Sequence, residues 1–358
     1  MNILNNTSLL KKLIGDLKKT SRPWKMSSYW DSYHHRVLRE IRVSGISNLQ
    51  SNHLLQKGFG IGRAVDDVIR PSNTLKRFLF NLIISLPLFS KVIDQYYALI
   101  RKLSTRNINL EIEICKQALV SIEKIHGPIS LDSNLTVGGA QDVFKWREIL
   151  LTTSFVKHLI RVSDFYKNVN MSEVTSLVEI GQGLGWSTLA HKTLNPNLKL
   201  ILNIDIPTTT YLSTQFLKAS GGLKIFDYND FLKDEKRIFD LPSKDGCTCI
   251  LLPTWCYTKI EKIFDWFHNA YSFKEMDQET VESYIKHTKK IVSKGAWIIS
   301  TIQDSRIDSE FKQIDVKEIV KYFSPDFSES QNIDYDNSLQ FKILSKIKKN
   351  SFIILKKK

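Results

Sequence analysis

Leu177-Val-Glu-Ile-Gly-Gln-Gly-Leu-Gly185 is the stretch whose reading decides the fold. Leu177, Val178 and Ile180 form a short apolar run suited to a strand buried on both faces. Gly181, Gly183 and Gly185 follow at once, and Trp186-Ser-Thr-Leu-Ala-His-Lys-Thr-Leu194 then reads as a helix. Strand, glycine turn and helix make the opening βα unit of a doubly wound sheet. Such a turn lets a ligand approach the backbone and meet the helix N-terminus. A plain tight turn uses the same residues, so the rest of the chain has to decide between the two.

Downstream, the βαβ alternation continues. Lys199–Ile206 is a second strand with Asp205 at its end and Pro207 after it. Thr208–Ala219 suits a helix stopped by Gly221-Gly222, and Leu223–Phe226 suits a short strand. Asp227 to Gly246 is polar and reads as a loop or insertion. Cys247–Leu252 and Ile263–Ala270 are buried strands, Asp277–Ser293 is a helix, and Ala296–Ile302 is a further strand. Gln340–Ile347 and Ser351–Lys356 form a closing hairpin. The expected fold class is α/β, a Rossmann-like methyltransferase sheet, mostly parallel, with a C-terminal antiparallel hairpin.

Upstream, the periodicity is helical. Leu9–Leu17, Ser28–Val43, Leu75–Leu86, Lys91–Leu103 and Leu110–Ile125 read as helices, and Phe144–Val169 as one long helix leading to the strand at 177. Gly127-Pro128 ends the fifth of these. Gly58-Phe-Gly-Ile-Gly62 mimics a nucleotide loop, but no strand precedes it, so it reads as a surface loop. The expected division is a helical N-terminal region over 1–165, serving as cap, substrate pocket or oligomerisation surface, and a methyltransferase domain over 166–358.

Composition narrows the partners. The chain has 358 residues and a formal net charge of +14, with much of the excess lysine near its two ends. A basic balance admits nucleic acid, an anionic surface or an acidic substrate. No basic stretch is interleaved with aromatics in the RNA-recognition manner, so nucleic acid is disfavoured, and a solvated basic surface with weak contact to anionic surfaces is expected. Cys115, Cys247, Cys249 and Cys256 match neither zinc nor Cys-x-x-Cys spacing and read as reduced, buried cysteines of a cytoplasmic protein. The N-terminal residues lack the apolar core of a signal peptide. The most apolar window, Phe78–Phe89, is too short to span a bilayer and is broken by Pro87, so no transmembrane segment is expected.

The glycine spacing carries chemistry. Glu179 to Gly185 reads Glu-x-Gly-x-Gly-x-Gly, whereas a dinucleotide fingerprint needs its last glycine one place on, where Trp186 stands. The pattern suits S-adenosylmethionine, which has no pyrophosphate. Asp205, about twenty residues on, is placed for the two ribose hydroxyls. Glu179, Gly181, Gly183, Gly185, Asp205 and Asn269 are the candidate cofactor contacts. Asp265-Trp-Phe-His-Asn-Ala-Tyr-Ser-Phe-Lys-Glu-Met276 crosses the carboxyl end of a strand, where open sheets bind ligands. It supplies Tyr271 and Ser272 as candidate substrate contacts and His268 and Glu275 as candidate catalytic groups. His268 has the more suitable unperturbed pKa for a base. The alternative is that Asn269 and Ser272 cap a turn and Glu275 caps the following helix, and for Asn269 the functional reading is favoured.

Glu179-Ile-Gly-Gln-Gly-Leu-Gly185, Asn195-Pro-Asn-Leu-Lys-Leu200 leading to Asp205-Ile-Pro207, and Asn269-Ala-Tyr-Ser-Phe-Lys-Glu-Met276 with Tyr284 downstream together resemble the bacterial sugar O-methyltransferase family. That family lies within the class I S-adenosylmethionine-dependent methyltransferase superfamily. The resemblance covers mainly residues 174–300. It implies S-adenosylmethionine as cofactor, transfer of its methyl group to a sugar or glycan hydroxyl, and a place in surface-polysaccharide or other glycan biosynthesis. Two places stay open for the adenine contact: Asp227, or Thr254 and Trp255 after the Leu-Leu-Pro strand. No spacing demands a metal. The alternatives are a methyltransferase acting on RNA, protein or another small molecule, and a catalytically silent Rossmann-fold binding protein.

Overall fold

The computed structural model describes residues 3–24, 26, 28–52, 55, 90–240, 246–301, 314, 316–333 and 350–358. The Gly58–Gly62 loop, the Leu75–Leu86 helix, the Phe78–Phe89 window and the Gln340–Ile347 strand lie outside the described residues.

Two helices open the described chain, α1 (Thr7–Leu17) and α2 (Ser28–Ser44). Asn6 caps α1 by accepting from the Leu9 amide. The two helices expected over Lys91–Leu103 and Leu110–Ile125 are one, α3 (Ser90–His126). No Gly or Pro lies between them, and Ser104-Thr-Arg-Asn107 does not break a helix whose flanks both have strong apolar periodicity. Gly127 then ends it at φ +84°.

The start of the expected long helix is instead a hairpin, β1 (Val143–Trp146) and β2 (Ile149–Thr152), followed by α4 (Thr153–Asn168). Arg147 takes φ +50° in the two-residue turn, and its guanidinium pairs with Glu123 on α3 at 2.7 Å. Thr152 starts α4 by accepting from the Phe155 amide at 3.1 Å. The Asp142 carboxylate accepts from the Thr153 and Ser154 hydroxyls and the Ser154 amide.

The sheet follows. β3 (Ser176–Ile180) leads through α5 (Trp186–Leu194) to β4 (Leu200–Asp205), and α6 (Pro207–Ser220) leads to the short β5 (Lys224–Phe226). Within the polar stretch after Phe226 lies α7 (Tyr228–Lys233), capped by Asp227 in a capping box with Asp230. β6 (Thr248–Pro253), β7 (Phe264–Ala270), α8 (Gln278–Ile291), β8 (Val292–Thr301), α9 (Val316–Phe323), β9 (Phe327–Ile333) and β10 (Asn350–Lys357) complete it. The strand order is β5-β6-β4-β3-β7-β8-β10-β9. β5, β6, β4, β3, β7 and β8 are parallel, and β10 runs antiparallel to both β8 and β9. The last strand therefore closes the sheet as expected, but against Phe327–Ile333. Phe-Ser-Glu-Ser-Gln-Asn-Ile333 is too polar to read as a strand by itself.

The chain runs outward from β3 to β4 on one side and from β7 to β8 on the other. The crevice at the carboxyl ends of β3 and β7 is the switch point at which open α/β sheets bind ligands. One continuous apolar core runs from Ile3, Leu9 and Leu13 through Leu177, Ile201 and Phe267 to Leu355. α1 packs on α6 and α7, and α2 packs on α6. Each fully buried Leu, Ile or Phe of such a core is worth roughly 1.5–3 kcal/mol relative to exposure. Among the described residues no helix is long and apolar enough to cross a membrane.

Candidate active site

Gly181 leaves β3 at φ +79°, and its amide donates to the Ile204 carbonyl at 2.9 Å. A β-carbon there would overlap the Ser272 side chain, so glycine is demanded by space as well as by dihedral angle. Ser272 belongs to the turn after β7. Its hydroxyl donates to the Ile180 carbonyl at 3.0 Å. The Asn269 amide group donates to the same carbonyl at 3.0 Å and to Ser272 Oγ at 2.5 Å, and Asn269 Oδ1 accepts from the Phe273 amide at 3.3 Å. Between them Tyr271 sits in the left-handed region at φ +68°, where a bulky residue is strained. Asn269 and Ser272 thus bolt the β7 turn to the glycine turn across the crevice, and Tyr271 is held at its rim.

Asp205 ends β4 beside the same turn. Its Oδ2 accepts from the Gly183 amide at 3.1 Å and its Oδ1 from the Ile206 amide at 2.7 Å. Burial pushes its carboxyl up to about 7; the two amides oppose that rise and the Glu179 charge adds to it. Glu275, in the turn after Ser272, is pushed up to about 8 by burial and then by the nearby Asp205 charge, against a hydrogen bond from Trp30. Trp30 comes from α2. One turn on, His34 Nδ1 lies 3.4 Å from Thr208 Oγ1 at the start of α6, and burial holds this histidine down at about 4. The N-terminal helix therefore covers the end of β4 and the Glu275 turn.

Glu179 and His268 lie deeper. Both Glu179 oxygens accept from the Ser187 hydroxyl, at 2.7 and 2.8 Å, and Oε1 is 3.0 Å from His268 Nδ1. The His268 ring stacks on Trp297 at 4.3 Å, faces the edge of His191 at 5.3 Å and is 2% exposed. These two side chains look across the β3–β7 pair into the layer of α5, and the crevice lies beyond them. Gly185 serves packing: at φ +98°, a β-carbon would stand 2.9 Å from Leu217 on α6. Trp186 turns away from the glycine turn onto Phe216 and Phe155.

Of the two sets of residues open for adenine, Asp227 is engaged in capping α7 and in an ion pair with Lys218 at 2.6 Å. The Thr254 hydroxyl donates to the Trp24 carbonyl at 2.7 Å. Trp255 Nε1 donates to the Tyr228 hydroxyl at 3.2 Å. Trp24, Tyr228, Trp255, Asp16 and Lys19 line an open cleft of about 340 Å³ between the N-terminal segment and the ends of β5 and β6. Among the described residues no cluster of three or more His, Cys, Asp or Glu side chains could hold a metal ion. The four cysteines are free and buried.

The sequence brought Gly181, Gly183, Asp205, Asn269, Tyr271, Ser272 and Glu275 forward, and these converge at the crevice. Sequence reasoning missed Trp30, His34 and Arg161, the last of which lies over the Tyr271 ring. Trp30 and His34 are four apart on a helix read only as amphipathic, which was the one available signal.

The sheet order and closing antiparallel strands define a Rossmann-like α/β fold of methyltransferase type. No protein-family model matches the sequence, and no curated protein matches it. Solved structures do. The mitomycin 7-O-methyltransferase MmcR is 11% identical, covering 58% of this chain and 55% of its own, with a TM-score of 0.38. Magnesium protoporphyrin IX methyltransferase (ChlM) from Synechocystis PCC 6803, solved with bound SAH, is 9% identical over 57% of this chain and 84% of its own, with a TM-score of 0.36. A SAM dependent methyltransferase from Aquifex aeolicus is 14% identical over 56% and 92%, with a TM-score of 0.34. The chain spans about half the length of MmcR.

Proposed function

We propose that the protein is an S-adenosylmethionine-dependent O-methyltransferase acting on a sugar hydroxyl in glycan biosynthesis. The observation that carries this reading is the convergence of the glycine turn, Asp205 and the Asn269–Glu275 turn on one crevice at the ends of β3, β4 and β7. When bound, the cofactor supplies an activated methyl group; alignment and exclusion of water fall to the protein. The residues fit such a group. Asp205 has a carboxylate fixed by two amides and lone pairs left for ribose hydroxyls. Gly183, at φ +59°, brings no side chain to the end of β3. Trp255 and Tyr228, packed edge to face at 5.9 Å, offer aromatic surface for adenine on the β5–β6 side. The sugar is favoured by the resemblance of Asn269–Met276, and the N-terminal region over 1–165 serves as the cap on the 166–358 domain.

Within this reading the base is Glu275. A sugar hydroxyl is a poor nucleophile while protonated, and a base is most effective with a pKa near the working pH. Glu275 is half-buried at the crevice, and burial raises its carboxyl to about 8. His268, the first choice from the sequence, is walled in by Glu179, His191 and Trp297, so its part is packing beside Glu179, which Ser187 ties to α5.

The test is calorimetry with S-adenosylmethionine, followed by incubation with the methyl-labelled cofactor and nucleotide-linked or lipid-linked glycan intermediates. Label in a sugar is expected. With Glu275→Gln, turnover should fall by about 10²–10⁴-fold with cofactor affinity retained. Absence of cofactor binding would remove the whole reading; label in RNA or protein would remove the sugar.

A further inference from the structure

Arg161 lies one turn beyond His158 on α4. Its guanidinium stands 5.1 Å from the centre of the Tyr271 ring. The ring satisfies one face of the cation, but a guanidinium also carries five N–H donors around its edge. Its Nε is buried and has no hydrogen-bond partner, and among the described residues no carboxylate pairs with it. Leaving such a donor unmade costs roughly 1–3 kcal/mol.

Among the described residues no compensating negative charge faces the guanidinium. His158 donates through Nδ1 to the Ser154 carbonyl at 2.9 Å. Its pKa is pushed down to about 3 by burial first, then by the charges of Arg161, His268 and Lys157. The carboxylates on neighbouring positions are taken. Asp164 pairs with Lys167 at 3.1 Å, and Glu111 pairs with Lys157 at 3.1 Å. Glu179 is held by the Ser187 hydroxyl, with His268 Nδ1 3.0 Å away. Tyr271 is fixed at the crevice by its own left-handed backbone and by Ser272, which packs on Gly181. The guanidinium therefore stands on the Tyr271 ring, beside the crevice, with its buried Nε–H uncommitted.

We propose that Arg161 is a carboxylate receptor of the crevice, with the Tyr271 ring as its backing and the guanidinium edge receiving the carboxylate of a bound small molecule. Two molecules could bring that group: the cofactor, through its methionine portion, or an acidic sugar acceptor. Only the identity of the source rests on the methyltransferase reading.

Calorimetry on the full chain separates the sources. S-Adenosylhomocysteine is compared with 5′-methylthioadenosine, which keeps the nucleoside and lacks the carboxylate. Glucuronate is compared with glucose. In Arg161→Met, a loss of about 10–100-fold for S-adenosylhomocysteine alone, with methylthioadenosine unchanged, assigns the cofactor's carboxylate. A similar loss for glucuronate alone, with glucose unchanged, assigns the acceptor's. Arg161→Lys keeps the charge without the fork and should recover part of the affinity. Retention of both affinities within about two-fold in folded Arg161→Met would overturn the proposal. If the wild type binds no S-adenosylhomocysteine, the methyltransferase reading falls, and the glucuronate arm alone decides for or against the receptor. If Arg161→Met does not fold, the Arg161 Nε–H resonance of the wild type decides: it should move on adding whichever ligand binds, and an unmoved resonance overturns the proposal.

Discussion

Gly181 and Ser272 compete for the same space, and the crevice depends on the outcome. The Ser272 hydroxyl and the Asn269 amide reach the Ile180 carbonyl only because no β-carbon intervenes. Gly181→Ala would add a methyl group to a residue at φ +79° and push Ser272 off that carbonyl. The expected loss is about 1–3 kcal/mol of stability, read from the urea midpoint. Ser272→Gly in the same chain should return part of it by removing the overlap. The dihedral strain would remain, so recovery should be incomplete. A double-mutant cycle with zero coupling would refute the contact.

At the scale of elements, the parallel part of the sheet was legible because its strands are short apolar runs ended by Gly, Pro or Asp. Leu177–Ile180 and Cys249–Leu252 admit little else. The β1–β2 hairpin was not legible. Phe144, Trp146, Ile149 and Phe155 satisfy a helical stripe, while Arg147 at φ +50° and its ion pair to Glu123 depend on α3, more than twenty residues earlier. The crevice was half legible for a similar reason. Asp205 and Asn269–Glu275 are local strings at strand ends. The cover of Trp30 and His34 reaches across more than 170 residues of chain to Thr208 and Glu275, and no spacing records that. The cover is testable. Burial is the larger cause of the raised Glu275 carboxyl, so Trp30→Ala should let it ionise below its present value of about 8, despite the lost hydrogen bond. Carbon-detected titration of the Glu275 carboxyl would read the change. A rise would mean that the hydrogen bond outweighs the cover.

The whole molecule carries these buried groups as a dependence of stability on pH. Asp205 and Glu275 have folded-state values of about 7 and about 8, raised by burial above those of the unfolded chain. Each therefore contributes stability that is complete below its unfolded pKa and is lost as pH rises through its folded value. His34 and His158 act in the opposite sense: with folded values of about 4 and about 3, they contribute stability present above the ordinary histidine range and lost as pH falls. Above about pH 7.5, a unit beyond the ordinary histidine value, the histidines no longer titrate in either state, so the carboxyl groups set the slope. The urea midpoint of the free protein should fall between about pH 7.5 and 8.5, and Asp205→Asn with Glu275→Gln should flatten that fall. A ligand whose hydroxyls donate to Asp205 favours its ionised form, so binding at about pH 6.5 should release a proton. Calorimetry of S-adenosylhomocysteine binding in buffers of different ionisation enthalpy would measure the release. Asp205→Asn should abolish it while the glycine turn stays in place. Proton uptake in the wild type would contradict a ribose-binding carboxylate at this position, because uptake requires the neutral acid in the complex.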